Sequence, residues 1–302
     1  MSGKRIAVIP GDGIGVEVTE EALRVLAALD LGIETRRYPY SADHWLATGE
    51  TLPKGAIAEL GAYDAILFGA LGDPRVPDQV VARDVLLGLR FQLDLYINLR
   101  PVTLLDDRLT PLKGKTCRDI DFVVFRENTE GSYAGVGGNF KRDTADEIAI
   151  TEDVNTRKGV ERIQRAAFAC ARAQGQKKGR RPRLCMSDKA NAMPHAHGLW
   201  QRVFAALKKE YSDVDASHLY IDVCALEFVR VGTVLDAGSD ASLINAFTGA
   251  GAFQNMTGNS SRNGALPRPT SPTMQLSPFW FDMVSDQLAV PSSTRTVISS
   301  SG

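Results

Sequence analysis

The sequence predicts an α/β protein with a largely parallel sheet. Short apolar bursts alternate along the chain with stretches of helical periodicity. Several bursts are continuous apolar runs, the pattern of strands buried on both faces. At 302 residues the chain is long enough for two ordinary domains or one large α/β unit.

The first strand is Ile6-Ala7-Val8-Ile9, and Val18, Ala22, Val25, Leu26 and Leu29 then mark one face of a helix. Ala65-Ile66-Leu67-Phe68 predicts a second buried strand, ended by Gly69. Val85, Leu86, Leu89 and Leu93 line a helix, and Tyr96-Ile97-Asn98-Leu99 leads out of it. Phe122-Val123-Val124-Phe125, Leu184-Cys185-Met186 and Leu219-Tyr220-Ile221 predict further strands. Between them Val160, Ile163, Ala167 and Ala171 form one helix face, and Val203, Ala206 and Leu207 another.

Charge and composition narrow the class. The formal net charge is −1, which points to neither nucleic acid nor a membrane surface as a main partner. The start "MSGKR" passes directly into a strand with no signal-peptide core, and no run approaches a membrane span. Cys117, Cys170, Cys185 and Cys224 are far apart and lack C-x-x-C spacing, so they read as reduced core thiols. The expectation is a cytoplasmic enzyme. The basic run "KKGRRPR" at 177–183 has no interleaved aromatics and reads as a solvated loop between a helix and a strand.

After Arg230 the composition changes. The last lysine is Lys209 and the last glutamate Glu227, and 231–302 is dominated by Ser, Thr, Gly, Ala and Pro. That segment reads as loosely ordered or foreign to the fold.

Three clusters bear on chemistry. "PGDGIGVEV" at 10–18 spaces its glycines as G-x-G-x-G, whereas a Rossmann fingerprint would place its third glycine at Val16. Asp30 and Glu34 lie roughly where a ribose-binding acid would, but a plain strand-to-helix turn accounts for the loop as well. Arg90, Arg100 and Arg126 would suit a substrate with two carboxylates if they converge, since guanidinium groups grip carboxylates bidentately; spacing alone favours three unrelated surface arginines. Lys189, in "DKANAM" at a predicted strand end, suits a base, Tyr133 a proton donor and Asp222 a metal ligand. Each has an ordinary alternative: a surface lysine, a half-buried tyrosine, a helix N-cap aspartate. His195 and His197 read as polar positions near a helix start.

Together "IPGDGIGVEV", "LRFQLDLYINLRP", "FRENTEGSYAG", "DKANAM" and "YIDVCALEFV" resemble, in order, the isopropylmalate/isocitrate dehydrogenases, the metal-dependent β-hydroxyacid oxidative decarboxylases. The resemblance runs from about residue 5 to 230 and is closest to 3-isopropylmalate dehydrogenase-like members. It implies a two-domain fold with a non-Rossmann cofactor site: residues 1–102 in a cofactor-side domain, 103–230 in a substrate and dimerisation domain, and 231–302 a divergent tail. It implies NAD and Mg²⁺ or Mn²⁺ as cofactors, a small dicarboxylate substrate, and a homodimer with shared active sites. Arg90, Arg100 and Arg126 match the substrate-carboxylate arginines, and Tyr133 the tyrosine that protonates the enolate. Lys189 matches the lysine contributed by the partner subunit, Asp222 one of three metal aspartates, and Ile14 the residue on the adenine side of the cofactor pocket. Val16 stands where the family usually has proline.

Leu86 and Leu87 offer an apolar surface, as in enzymes that take the isopropyl group of 3-isopropylmalate in leucine biosynthesis. Isocitrate-specific members resemble a Ser-x-Asn arrangement, which would fall on Asp84 and Leu86. Arg83 stands where isopropylmalate enzymes usually carry glutamate, so tartrate or D-malate dehydrogenase remains an alternative. The "NLFGDILSD"-like stretch with two further metal aspartates, the "HGSAP"-like loop and the Asn-Pro turn do not follow Arg230. A frameshift or splicing origin of 231–302, and a catalytically inactive dimerising or regulatory relative, therefore also stand as readings of this chain.

Overall fold

In the computed structural model, which describes residues 3–77, 80–231, 241–245 and 296–299, the first apolar run forms strand β1 (Arg5–Gly11). It feeds helix α1 (Ile14–Ala28). Ala7, Val8 and Ile9 are fully buried, as expected of a strand covered on both faces. Strand β2 (Glu34–Arg37), helices α2 (Ala42–Thr48) and α3 (Ala56–Leu60) and strand β3 (Ala65–Ala70) follow. β1 pairs in parallel with β2 on one side and β3 on the other.

Gly69 does not end β3. The strand continues to Ala70 because Gly69 has no side chain: a Cβ there would lie 2.0 Å from the Pro10 carbonyl oxygen. The glycine lets β3 run hard against the turn that follows β1. Beyond it, a turn of π-helix at Ala82–Leu87 leads into helix α4 (Gly88–Gln92). Val85 and Leu89 drop into the same core as Ile9, Ile66 and Phe68.

Strand β4 (Ile97–Thr103) runs antiparallel to β5 (Asp121–Glu127). A two-stranded ribbon follows, β6 (Gly137–Phe140) against β7 (Ile148–Thr151). Then come helix α5 (Arg157–Lys177), strand β8 (Arg183–Asp188), helix α6 (Ala196–Glu210), strand β9 (Asp215–Tyr220) and helix α7 (Ile221–Val231). Thr156 caps α5, its hydroxyl accepting from the Gly159 N–H. Ile221, expected at the end of a strand, instead opens α7.

Strand alternation sorts the second core into two layers. Val123 and Phe125 of β5, with Leu184 and Met186 of β8, meet Ile163, Phe168 and Trp200 of α5 and α6. Val124 and Cys185 point to the opposite face, where Cys224 of α7 is buried against them. Burying a side chain such as Ile163 or Phe168 contributes about 1.5–3 kcal/mol. Phe204, not Ala206, joins Val203 and Leu207 on the buried face of α6, and Ala206 is exposed. Cys170, Cys185 and Cys224 are buried free thiols, while Cys117 is only partly covered.

Among the described residues, two strands lie in the compositionally distinct segment after Arg230. β10 (Ala241–Asn245) inserts in parallel between β5 and β8. β11 (Thr296–Ser299) pairs in parallel with β3. The sheets therefore read β11-β3-β1-β2 and β4-β5-β10-β8-β9. The chain divides into two compact units, Met1–Leu95 with Ser260–Gly302 and Tyr96–Asn259. Among the described residues no helix is long and apolar enough to cross a membrane.

Candidate active site

The opening glycine loop is a packed turn. Asp12, buried, accepts the Ala42 N–H at 2.7 Å on one carboxylate oxygen and the Gly72 N–H at 3.0 Å on the other. Its own N–H donates to the Ala70 carbonyl. A Cβ on Gly15 would stand 2.5 Å from both the Ala70 nitrogen and the Pro10 oxygen. Gly15 therefore lets the turn pack closely against β3, whereas a Cβ on Gly13 would meet nothing within 4 Å. Ile14, at the start of α1, is 66% exposed, an apolar surface open to a flat ligand.

In the same unit Leu86, Leu87 and Arg90 are half-buried on the π-helical turn and α4. Arg83 donates to Asp84 at 2.9 Å, and the Thr51 hydroxyl donates to the other oxygen of Asp84 at 3.1 Å. Asp84 is thus committed within this unit, and Arg83 leans on it from the solvent side.

The other unit gathers its candidates at one sheet edge. β5, β10, β8 and β9 are parallel, so their carboxyl ends share an edge, and antiparallel β4 begins there. Open α/β sheets bind ligands at that edge. Arg126, one residue before the end of β5, lies opposite Asn98, and Arg100 lies two residues along β4 from Asn98, so all three project from one face. Arg100 donates to Asn98 at 3.1 Å, and Asn98 donates to Asn128 at 3.2 Å. The Arg126 guanidinium sits 5.3 Å from the centre of the Tyr133 ring. Partial desolvation, then the charge of Arg126, pushes the Arg100 pKa below its ordinary value, with Tyr133 acting the other way. Two guanidinium groups and a phenol therefore face one region, and an anion there would relieve their repulsion.

Further along the edge, β8 ends at Asp188 and the chain turns at Lys189. Ser187 lies two strands from Arg126, with Asn245 between them in register, a separation of roughly 10 Å. The Lys189 ammonium is 2.5 Å from the Asp222 carboxylate in the first turn of α7. Asp188, fully buried, accepts from the Ala190 N–H at 2.8 Å, Gln201 at 3.3 Å and His218 Nε2 at 2.8 Å. The Lys189 N–H donates to His197 Nδ1 at 2.7 Å.

The sequence reading missed Asp12, Asn98, Asp188 and His218, and it underrated His197, which is 1% exposed. Of the four histidines in the chain, His197 and His218 both contact the Asp188-Lys189 pair, a meeting that only the fold brings about.

Known proteins resemble this chain in sequence and fold. The family described as Isocitrate/isopropylmalate dehydrogenase matches residues 5–236. A 3-isopropylmalate dehydrogenase of Thermobifida fusca is 40% identical over 98% of this chain and 84% of its own length. One of Streptomyces coelicolor is 45% identical over 74% of this chain and 63% of its own. Among solved structures, the TT0538 protein of Thermus thermophilus superposes with a TM-score of 0.66 at 31% identity, covering 80% of this chain and 46% of that one. Isocitrate dehydrogenase of Methylococcus capsulatus gives 0.64 at 28% identity, covering 80% of this chain and 66% of that one. The family match spans the opening loop, the arginine strands and the Lys189 turn, and on it this chain belongs to the isocitrate/isopropylmalate dehydrogenase family.

Proposed function

We propose that this chain is a cytoplasmic NAD- and divalent-metal-dependent dehydrogenase that oxidatively decarboxylates a malate-type β-hydroxy acid, 3-isopropylmalate. The observation that carries this reading is the shared edge of the second unit, with Arg100, Arg126 and Tyr133 on one side and the Lys189–Asp222 pair on the other. Relatives named 3-isopropylmalate dehydrogenase support the substrate, and half-buried Leu86 and Leu87 suit an isopropyl group.

The residues fit the cofactors in part. Asp222 keeps 59% of its side chain exposed. Among the described residues there is no group of three His, Cys, Asp or Glu that could hold a metal. Mg²⁺ is commonly held by one or two carboxylates plus substrate oxygens, so Asp222 suits one anchor. Ile14 suits the adenine side of NAD. When bound, the divalent ion supplies Lewis-acid stabilisation and NAD⁺ accepts the hydride.

The chain's own residues do the rest. Arg100 and Arg126 hold a substrate carboxylate, which orients the hydroxyl-bearing carbon; Arg90 belongs to the proposal on the family resemblance alone. In the shared site the Lys189 supplied by the second copy parts from Asp222, loses one proton to solvent, and as the neutral amine takes the hydroxyl proton on Nζ. After CO₂ leaves, Tyr133 returns a proton to the carbon that carried it.

A homodimer with shared sites belongs to this proposal. The β6–β7 ribbon exposes Phe140 and Ile150, and α7 exposes Val223 and Leu226, apolar surfaces suited to a second copy.

The test is NADH formation with Mg²⁺ or Mn²⁺ and 3-isopropylmalate, D-malate, tartrate or isocitrate. The highest kcat/KM is expected for 3-isopropylmalate. Arg83, a cation at the position of the family's usual glutamate, favours a second reading as a D-malate or tartrate enzyme, and preference for either of those substrates would establish it. Absence of turnover with all four would overturn the enzymatic reading in favour of a catalytically silent, dimerising relative.

A further inference from the structure

We propose that His197, backed by Asp153, is a positioning residue for Lys189, acting through the Lys189 backbone. The inference rests on the reading of Lys189 as the residue that takes the hydroxyl proton.

The Lys189 main chain is held on both sides. Its carbonyl accepts from the Ala192 and Met193 N–H groups at 3.0 and 2.8 Å, and its N–H donates to His197 Nδ1 at 2.7 Å. A backbone N–H only donates, so Nδ1 must carry a lone pair, and the proton of the neutral ring lies on Nε2. Nε2 stands 3.4 Å from Asp153 Oδ2. That oxygen also accepts from the Asn155 amide at 2.8 Å, and Asn155 accepts from the Trp200 indole N–H at 2.7 Å. His197 itself is seated in α6, its N–H donating to Met193. A chain of oriented donors and acceptors therefore runs from buried Trp200 to the Lys189 amide. The side chain that this amide anchors reaches Asp222 at 2.5 Å.

A buried histidine that merely filled space would tolerate any ring of similar shape. His197→Phe keeps the ring and removes the acceptor, while His197→Asn returns an acceptor near the Nδ1 position. With 3-isopropylmalate, His197→Phe should lower kcat about tenfold to a hundredfold with KM nearly unchanged, the cost of a displaced catalytic group. His197→Asn should recover most of that loss even if both variants melt at the same reduced temperature. Two readouts need no activity. Long-range ¹H–¹⁵N spectra of histidine-labelled wild-type protein should give His197 an unprotonated Nδ1 and a protonated Nε2. Reductive methylation with ¹³C-formaldehyde should give Lys189 a resonance distinct from exposed lysines in the wild type and His197→Asn, merging with them in His197→Phe.

A wild-type kcat in His197→Phe, equal impairment of the two variants, or a proton on Nδ1 would overturn the proposal. If the wild type turns over none of the substrates, the enzymatic reading fails, and the tautomer and Lys189 resonance still decide whether His197 positions the lysine. If His197→Phe does not fold, the wild-type tautomer and the Asn variant decide it.

Discussion

The Lys189 ammonium and the Asp222 carboxylate meet at 2.5 Å across the gap between the end of β8 and the start of α7. Both partners keep solvent access, at 30% and 59% of their side chains. An ion pair so exposed contributes about 0–1 kcal/mol to stability, so its main consequence should lie in chemistry. Lys189→Met and Asp222→Asn should each lower kcat by about 10²–10⁴-fold while shifting Tm by no more than a few degrees. A fall in Tm that accounts for the lost activity would remove the catalytic assignment.

Tyr133 allows a cleaner separation. Its ring faces the Arg126 guanidinium at 5.3 Å, and Phe preserves that face while removing the hydroxyl. Tyr133→Phe should therefore leave KM close to wild type and reduce kcat about a hundredfold or more. Arg126→Gln removes the cation and should raise KM instead. Steady-state kinetics on the two variants would refute the assigned roles if the effects were reversed.

How much of this was legible in the sequence depends on the range of the forces involved. The strand Phe122–Phe125 and the α5 face were readable because apolar period is a local signal. Five ordered motifs made the arginines, Tyr133, Lys189 and Asp222 findable. β10 was not readable: Ala-Ser-Leu-Ile-Asn lies in a Ser- and Gly-rich segment and becomes a strand only between β5 and β8. His197 was hidden for a related reason. Its burial comes from α6 meeting the Asp153 segment, a contact that local polarity does not announce.

The buried thiols predict an alkaline weakness. Burial pushes Cys185 up to about 11 and Cys224 up to about 12, from an ordinary 9.0. Above pH 9 the unfolded chain loses thiol protons that the folded chain keeps, so folding stability falls as pH rises through 9 towards 11. Cys185 alone contributes of the order of 2 kcal/mol across that window. Urea midpoints at pH 8 and 10.5 should therefore converge more closely in Cys185→Ala than in the wild type. Identical pH dependence in the two proteins would contradict this.

The ribbon offers a test of assembly. Phe140 and Ile150 are 63% and 53% exposed on β6 and β7, more apolar surface than two short strands retain without a partner. Ile150→Lys should shift the sedimentation coefficient from dimer to monomer and, on the proposal that the copies share their sites, abolish turnover. A monomeric wild type would contradict the assembly.

The segment after Arg230 should be indispensable. β10 is an inner strand, paired with Phe122–Arg126 on one side and Leu184–Ser187 on the other. Ending the chain at Arg230 would strip partners from the backbone groups of β5 and β8 that face it. Each group left buried and unpaired costs about 1–3 kcal/mol, and several together match a typical domain stability of about 5–15 kcal/mol. The truncated chain should aggregate or lose its cooperative melt by circular dichroism. Leu243→Pro, which deletes one N–H from the middle of β10, should lower Tm by more than about 5 °C. A soluble truncated protein melting near the wild-type temperature would mean that β10 is dispensable, and the segment would then be an appendage to a fold complete at Arg230.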